Sequence, residues 1–418
     1  MDAARSLTHS RAIFHPFYVP LWGAVGAGIA VIAWPNVPGL PTIHLPGLAA
    51  VLLLAWFAAP SRLSAYVLAA GYYLAGTRGL PVGAGVFFAR HVTIPGYLLW
   101  VAVSLVLAIP YALLWIHPEK RRFWRIALSL VGLFLLQALP WTGFGLIDWI
   151  SPYLAAASLF PGAGAWAFVW GVGMLLGLCL GMEKRDGMKW IAVVALVALV
   201  VGEAVIPSPV RPQPETAQGV NTELGPMPSS LLARYYRNQA LAGHVMKSER
   251  GYSLTLYPEF VVGVWYQGNA WLYRHVIAQT KTDDHAVLLG VEQPLPGRSA
   301  PYLDSLVLIE HGKTRFLPNE ISVPYSMWHP WRFHSAKLNL WNPETAKING
   351  RKYGYLICYE SLLLWPGLQI AAQSNVNGLM FAANDWWAVN TSIPEIQMES
   401  AKLWARILGV HLISAVNT

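Results

Sequence analysis

The sequence predicts a membrane-embedded α-helical bundle followed by a water-exposed α/β domain. The 418 residues are 55% hydrophobic and only 12% charged, which is too apolar for an ordinary soluble protein. Charged residues are nearly absent before about residue 207 and ordinary in number after it. From about residue 220, short apolar runs alternate with helical segments, a pattern typical of layered α/β domains. Residues 1–206 and 221–418 are therefore treated as two domains.

The first domain contains apolar tracts that are long enough, or nearly so, to cross a bilayer. A hydrocarbon core of about 30 Å requires roughly 20 apolar residues in a helix. We count about seven tracts, near residues 18–34, 45–60, 63–77, 95–116, 123–140, 155–181 and 190–206. The tracts at 45–60 and 63–77 are short, and the sequence leaves open whether they cross the membrane or re-enter it.

The basic residues between these tracts predict their orientation, because cytoplasmic loops collect Lys and Arg. With the N-terminus inside, only Arg78 and Arg90 fall on the outer side. The other basic residues near the tracts fall on the cytoplasmic side, namely Arg5, Arg11, Arg62, Lys120, Arg121, Arg122, Arg125, Lys184, Arg185 and Lys189. We therefore predict a protein of the bacterial inner membrane, with residues 207–220 as a Pro-rich linker and residues 221–418 as a periplasmic domain.

The second domain is expected to contain one long helix and at least six strands. Residues 229–246 combine a Ser cap with apolar residues at helical spacing. Six short apolar runs are predicted as strands, namely "GYSLTLYPEF", "AVLLGV", "YLDSLVLIE", "YGYLICYE", "GLMFAAND" and "GVHLISAV".

Three residues of this domain are candidates for catalysis. Glu259 ends a predicted strand, where a partly desolvated carboxylate serves as a general base. Lys313 precedes a predicted turn, and its ammonium group is suited to stabilise an oxyanion. Cys358 follows a predicted buried strand, and its thiolate is a nucleophile once a base removes the proton. Taken singly, residues in these positions are more often a solvated Glu, a solvated Lys and an inert core Cys.

The order of the three residues, with gaps of 54 and 45 residues, resembles the Glu-Lys-Cys triad of the nitrilase superfamily. Residues 354–360 match the G-x-x-I-C-Y-E nucleophile motif of bacterial apolipoprotein N-acyltransferases. "YPE" at 257–259 resembles the W-P-E around that family's base, and "ANDWW" at 383–387 resembles its N-D-A-W-F. "KTRFLPNE" at 313–320 resembles K-x-x-L-V-P-F-G-E, and Glu320 aligns with the last Glu only through a one-residue deletion.

This resemblance implies an αββα sandwich that transfers acyl groups through a thioester on Cys358, without a cofactor. Glu320, Tyr359 and Glu360 take supporting roles by position in the motifs, and Glu360 is equally consistent with a solvated residue. A membrane lipid is the implied acyl donor, and the acceptor, a protein or a small amine, is left unnamed. The Trp-rich stretch "MWHPWRFHSAKLNLW" at 327–341 fits a membrane interface, and it fits a strand-and-loop region of the core equally well.

The chain also departs from the acyltransferase pattern. Residues 404–407 read Trp-Ala-Arg-Ile where the family shows R-A-x-E, and the family's last strands and membrane helix are expected to be missing. A multi-span chain with a nitrilase-like end is also similar to TraB-type proteins of conjugative plasmids. The sequence therefore leaves open lipoprotein modification, a role in conjugation, and a non-catalytic scaffold of a conjugative transfer apparatus.

Other classes of function find less support in the sequence. A transporter usually needs ionisable residues within its membrane spans, and Asp148, the clearest acidic candidate, is predicted at the outer rim. The 12 His residues are scattered and show no metal-ligand spacing, so no metal site is predicted. There is no Gly-rich phosphate loop followed by Lys and Ser or Thr. The net charge of +8 is explained by topology, and direct nucleic-acid binding is not predicted.

Overall fold

The structure is a computed structural model, and it describes residues 15–35, 44–88, 94–184, 188–205, 217–248, 251–282, 284–296, 301–332 and 334–418. The chain divides into two compact units. The first unit comprises Met1–Phe160, Trp166–Pro207 and Asn390–Ile396, and the second comprises Pro161–Ala165, Ser208–Val389 and Gln397–Thr418.

The described part of the first unit contains helices joined by turns and loops. Its helices are α1 (His15–Ala33), α2 (Val51–Ala58), α3 (Arg62–Gly76), α4 (Leu80–Phe87), α5 (Ile94–Leu113), α6 (Phe123–Ala138), α7 (Pro152–Ser158), α8 (Trp166–Lys184) and α9 (Met188–Val205). Within the described residues, two helical segments are long and apolar enough to cross a membrane, Ile94–Leu113 and Trp166–Glu183. Shorter apolar helical segments cover Tyr18–Ala33, Pro46–Ala58, Phe123–Ala138 and Ile191–Gly202. The predicted count of seven spans therefore stays a prediction.

Three details of this unit differ from the predicted tracts. The tract at 45–60 forms a short 3-10 turn and α2, whose eight residues rise only about 12 Å. The tract at 155–181 is interrupted between α7 and α8, where Gly162 and Gly164 take positive φ angles. Asp148, predicted at an outer rim, is buried and accepts a hydrogen bond from the Tyr73 hydroxyl at 2.6 Å.

The second unit contains two β-sheets. The strands are β1 (Ala217–Gly219), β2 (Leu254–Leu256), β3 (Gly263–Val264), β4 (Ala286–Pro294), β5 (Tyr302–Glu310), β6 (Lys313–Pro318), β7 (Thr345–Ile348), β8 (Arg351–Ile357), β9 (Gly378–Asn384) and β10 (His411–Asn417). The first sheet has the order β1-β2-β4-β5-β6, with β3 beside β4, and the second has the order β10-β9-β8-β7. All six predicted strands are present.

Helices cover both sheets of the second unit. They are α10 (Leu231–Ser248), α11 (Gln267–Leu272), α12 (Arg274–Gln279), α13 (Leu364–Ala371) and α14 (Ile393–Leu408). Val245 of α10 packs with Val287 of β4 and Val307 of β5 in a core made almost entirely of apolar side chains. The α/β class predicted for this region is confirmed. The end of the predicted linker, Ala217–Gly219, is a strand because it pairs in parallel with β2, and residues 206–216 lie outside the described part.

Candidate active site

Cys358, the predicted nucleophile, lies at the carboxyl end of an interior strand. β8 runs between β7 and β9, and its last five residues are buried. The chain leaves the strand at Cys358 with a φ of +50° and continues as the 3-10 turn Cys358–Leu362. Few non-glycine residues adopt this conformation, and such strain often accompanies functional sites. The side chain is buried, so its reactivity depends on the groups packed around it.

Glu259, the predicted base, reaches the same place from the first sheet. It follows β2 after Tyr257 and Pro258, it is buried, and its carboxyl group hydrogen-bonds to the Cys358 thiol. Gly290 on β4 allows this close approach, because a Cβ there would lie 2.4 Å from Glu259 Cα and 2.2 Å from the carbonyl oxygen of Pro258. The structure therefore brings Glu259 and Cys358 together.

Asp304, which sequence reasoning missed, is the second partner of Glu259. It lies on β5, is buried, and shares a hydrogen bond with the Glu259 carboxyl group. Burial raises the pKa of Asp304 well above its usual range, and the negative charge of Glu259 raises that pKa further. Burial also raises the pKa of Glu259, but its hydrogen bonds to Asp304 and Cys358 oppose the rise. Asp304 therefore keeps its proton and donates a hydrogen bond to the Glu259 carboxylate.

Asp385 and Gln397 complete the surroundings of the thiol. One terminal atom of the Gln397 amide lies 3.7 Å from Cys358 Sγ. When the amide nitrogen faces Asp385, it donates to Oδ1 at 2.9 Å and to Oδ2 at 3.1 Å. This orientation satisfies both groups, so it is the one that hydrogen bonding favours. It directs the amide oxygen of Gln397 toward the thiol.

Lys313 lies away from this cluster, and this position corrects the predicted triad. Lys313 pairs with Glu310 beside the turn of the β5–β6 hairpin, and its side chain is exposed. Asp304 lies at the other end of β5, where its carbonyl oxygen accepts the backbone N–H of Asn319. Six residues of strand separate the two ends, which is about 20 Å at about 3.3 Å per residue. The strand register therefore keeps the Lys313 ammonium group away from Cys358.

Glu320 and Glu360, predicted as supporting residues, meet in a second buried cluster. Glu360 accepts hydrogen bonds from the backbone N–H groups of Glu320 at 2.7 Å, Ile321 at 2.8 Å and Ile357 at 3.1 Å. Ile357 directly precedes Cys358. Glu360 therefore ties the turn that carries the nucleophile to the segment that follows β6, and it is not a solvated residue.

Glu344, which sequence reasoning also missed, joins Glu320 and Glu360. It accepts the backbone N–H of Glu320 at 2.8 Å and shares a hydrogen bond with the Glu360 carboxyl group. Burial raises the pKa of all three carboxyl groups, that of Glu360 to about 7, that of Glu320 to about 9 and that of Glu344 well above its usual range. The "WNPE" segment around Glu344 carries no recognisable signal. Tyr359, the last predicted supporting residue, is buried in the turn beside Cys358.

The electrostatics of the site keep the Cys358 thiol neutral at rest. Burial raises its pKa well above the usual range, and the charges of Glu259 and Asp385 raise it further, although the backbone N–H of Asn384 opposes the shift. In the part of the chain that the structure describes, no Lys, Arg or His is among the groups that contact Glu259, Asp304 or Cys358. Attack by the sulfur therefore requires a base within the site. Within the same residues, no group of three His, Cys, Asp or Glu side chains is placed to hold a metal ion.

Two proteins of known name are similar to this chain over most of its length, whereas no family model matches it. The conjugal transfer protein TraB of Agrobacterium fabrum is 29% identical over 382 residues, which cover 87% of this chain and 86% of the relative. The probable conjugal transfer protein TraB of Sinorhizobium fredii is 28% identical over 373 residues, which cover 87% of this chain and 90% of the relative. The resemblance to TraB-type proteins that the sequence predicts is thereby confirmed.

Solved structures similar to this chain include proteins of the nitrilase superfamily. An amidase from Nesterenkonia sp. has a TM-score of 0.36 and 16% sequence identity, and the match covers 50% of this chain and 78% of that chain. A CN-hydrolase superfamily protein from Xanthomonas campestris, with an arsenic adduct in its active site, has a TM-score of 0.25 and 10% identity. That match covers 40% of this chain and 62% of the other.

Proposed function

We propose that the second unit transfers acyl groups, or hydrolyses amides, through a thioester on Cys358. The observation that carries this proposal is the hydrogen bond between the Glu259 carboxyl group and the buried Cys358 thiol. A nucleophile and a base within hydrogen-bond reach, with a third group orienting the base, are the arrangement that thiol catalysis requires. Asp304 is the orienting group here.

The first step forms the acyl-enzyme. The Cys358 proton moves to the Glu259 carboxylate as the sulfur attacks the carbonyl carbon of an amide or ester. The backbone N–H of Asn384, which is directed at the thiol and at Glu259, is placed to stabilise the oxyanion. The tetrahedral intermediate then collapses, the carbon–nitrogen or carbon–oxygen bond breaks, and the leaving group takes the proton from Glu259.

The second step releases the acyl group. Glu259 removes a proton from an incoming amine or water, which attacks the thioester carbonyl carbon. The carbon–sulfur bond breaks, and the sulfur recovers its proton from Glu259. The hydrogen bond from Asp304 favours the ionised form of Glu259, so the base is ready for each step.

The apolar first unit supports a membrane location for this reaction. Two of its helical segments are suited to cross a bilayer, and the basic loop residues favour an inner-membrane protein with a periplasmic α/β unit. In that location a membrane lipid is the natural acyl donor. The names of the two relatives further support a role in conjugal plasmid transfer, with proteins of the transfer apparatus as partners.

A second candidate function is a non-catalytic membrane scaffold of the transfer apparatus. The position of Lys313 favours it, because the backbone of Lys313, a member of the predicted triad, lies about 20 Å along the hairpin from Asp304. The raised pKa of the Cys358 thiol also favours the scaffold function, since a neutral thiol is a weak nucleophile.

Mass spectrometry of the full-length chain distinguishes the two functions. The protein, purified in detergent, is incubated with phospholipid or with a short-chain amide, and its cysteine-containing peptides are analysed. Acyl transfer predicts a hydroxylamine-sensitive acyl adduct on Cys358, none in Cys358→Ala, and none on the buried Cys179 in either protein. No adduct from any donor, together with normal plasmid transfer by Cys358→Ala, would establish the scaffold function instead.

A further inference from the structure

We infer that the start of α10 and the adjacent helix α11 rest on a lipid bilayer surface of net negative charge. The inference concerns how the second unit is held, so it goes beyond the proposed chemistry at Cys358. It starts from the large apolar side chains that these two helices expose and from the charges beside them.

The first two turns of α10 expose four large apolar side chains. Leu231 is 80% exposed and Leu232 is 62% exposed. Tyr235 and Tyr236 follow one turn later, are also exposed, and have ring centroids 5.7 Å apart. A spacing of i, i+1, i+4 and i+5 places the four side chains on one side of the helix. The helix contributes to the hydrophobic core only from Leu241 onward, so these four residues are outside that core.

The neighbouring helix α11 extends this surface. α10 packs against α11 and α12, and α11 exposes Trp271, while Tyr266 is exposed directly before α11 begins. The Arg274 guanidinium group lies 4.1 Å from the centroid of the Trp271 ring. Single exposed apolar residues are ordinary, but six large ones at two neighbouring helices mark a binding surface. We call this surface the α10–α11 face, and it consists of Leu231, Leu232, Tyr235, Tyr236, Tyr266, Trp271 and Arg274.

The charges of the same helices identify the chemistry of the partner. The sequences of α10, α11 and α12 contain no Asp or Glu, whereas they contain Arg234, Arg237, Lys247 and Arg274. Arg237 Nη1 donates to the carbonyl oxygen of Pro226 at 2.8 Å, and this neutral partner does not cancel its positive charge. A partner that is both apolar and negatively charged therefore complements the α10–α11 face. A bilayer with anionic headgroups has both properties.

The residue types of the α10–α11 face fit a bilayer better than other partners. Trp and Tyr rings favour the headgroup level of a membrane, and an Arg side chain can keep its charge among the phosphates while its stem contacts apolar atoms. A second copy of the chain would bring two basic surfaces together, and like charges repel. A nucleic acid would offer phosphates and bases, but it would leave Leu231 and Leu232 without an apolar environment.

Fluorescence quenching of the full-length protein tests this contact. Leu232→Cys is labelled with a maleimide fluorophore, and the two native cysteines are buried, so the introduced thiol is the one that reacts. The protein is placed in nanodiscs of phosphatidylcholine, alone or mixed with phosphatidylglycerol. A doxyl group on the lipid chains quenches a label within the bilayer, and iodide quenches a label in water. Lys347→Cys, exposed on β7, carries the same fluorophore as the matched control.

In the anionic discs, we expect the doxyl lipid to quench the label at position 232 about threefold more strongly than the label at position 347. Iodide should show the opposite order. The difference should shrink in discs of phosphatidylcholine alone and at high salt, because salt screens the attraction to anionic headgroups. Arg274→Gln should weaken the lipid quenching at position 232. Arg351→Gln, which removes an exposed arginine from the start of β8, is the control and should leave it unchanged.

Several results would overturn the inference. These are equal lipid quenching at positions 232 and 347, lipid quenching at 232 that is the same in both kinds of disc, or no association of the protein with anionic discs. Shielding of position 232 from iodide by a DNA oligonucleotide, or by rising protein concentration in detergent, would assign the α10–α11 face to those partners instead. None of these measurements requires turnover, so the inference and the thioester chemistry can fail separately.

Discussion

Asp304 donates a hydrogen bond to the Glu259 carboxylate, which in turn contacts the Cys358 thiol. This pair places a protonated acid next to an ionised base in the interior of the α/β unit. Two buried carboxyl groups that share a hydrogen bond do not both ionise at neutral pH. One therefore holds the proton, and the other is free to act as the base. The division of roles between Asp304 and Glu259 is the basis of the proposed chemistry.

Replacement of Asp304 should reveal its role as a positioning residue. Asp304→Asn keeps an N–H donor for Glu259, so acyl-enzyme formation should fall by no more than about tenfold. Asp304→Leu removes the donor and raises the pKa of Glu259, so the rate at neutral pH should fall about 100-fold, as for the loss of a general base. Single-turnover rates of both variants measure this. A higher pH should restore the acylation rate of Asp304→Leu, because more Glu259 is then ionised. If the defect were purely structural, the rate would not recover at higher pH.

Lys313 should be dispensable for the chemistry. Its side chain is exposed at the hairpin turn, and surface substitutions of this kind change stability by about 0.5 kcal/mol or less. Lys313→Ala should therefore form the acyl-enzyme within about twofold of the wild-type rate, since a twofold change is less than 0.5 kcal/mol. A 100-fold loss, comparable to that of Glu259→Ala, would show that the ammonium group reaches the thiol during catalysis.

The buried cluster of Glu320, Glu344 and Glu360 should make this part of the fold less stable as the pH rises. Their folded-state pKa values are raised above the ordinary 4.5, to about 7 for Glu360 and about 9 for Glu320. The folded state therefore binds more protons than the unfolded state above about pH 4.5. The stabilisation is complete below that pH. As the pH rises it is lost at about 1.4 kcal/mol per pH unit for each such carboxyl group, until the pH has passed the folded-state value of that group.

Hydrogen exchange of peptides from β8 and from residues 319–321 measures this loss. The opening free energy, corrected for the intrinsic exchange rate, should fall between about pH 6 and about pH 9. Glu344→Gln removes one ionisable group and keeps its hydrogen-bonding capacity, so it should weaken the pH dependence. An opening free energy that is constant or rises over this range would contradict the buried, protonated cluster.

Gly290 should be required for the position of Glu259. A Cβ at this residue would lie 2.2 Å from the Pro258 carbonyl oxygen, so Gly290→Ala forces the segment around Glu259 to move. We expect a loss of about 1 to 3 kcal/mol in stability, as for other overpacked sites, and a much slower acyl-enzyme formation. Gly243→Ala on α10 is the control, since its Cβ meets nothing within 4 Å. If Gly290→Ala and Gly243→Ala had the same stability and the same acylation rate, the close approach of Gly290 to the segment around Glu259 would be contradicted.

The strands were predictable from local sequence, whereas the meeting of Glu259 and Cys358 was predictable only through the motif resemblance. Apolar runs bounded by turn residues define β2 and β8, and each candidate follows the end of its strand. Parallel strands β8 and β9 end at the same edge, which also brings the "AND" segment to the thiol. The motif resemblance names Glu259 and Cys358, and these two side chains lie together in the structure.

The position of Lys313 was not predictable, because it depends on hairpin register. The "HG" turn places Lys313 opposite Glu310, and neither motif spacing nor composition reports how far along a hairpin a residue lies. Asp304 and Glu344 were missed for a related reason, since each is an isolated acidic residue whose partner is distant in sequence. The sequence does contain a signal for Asp304. A carboxyl group inside the apolar strand "YLDSLVLI" requires a buried partner, which marks it as a candidate site residue.

The pH dependence of Cys358 acylation in Glu259→Gln tests the central claim most directly. Single-turnover acylation by an activated ester is followed by mass spectrometry in the wild-type protein and in the variant. The wild-type rate should rise with pH through the raised pKa of Glu259, because only its ionised form removes the thiol proton. Glu259→Gln should be at least about 100-fold slower near neutral pH and should lack this inflection. Equal rates and equal pH profiles for the two proteins would show that Glu259 is not the base of Cys358.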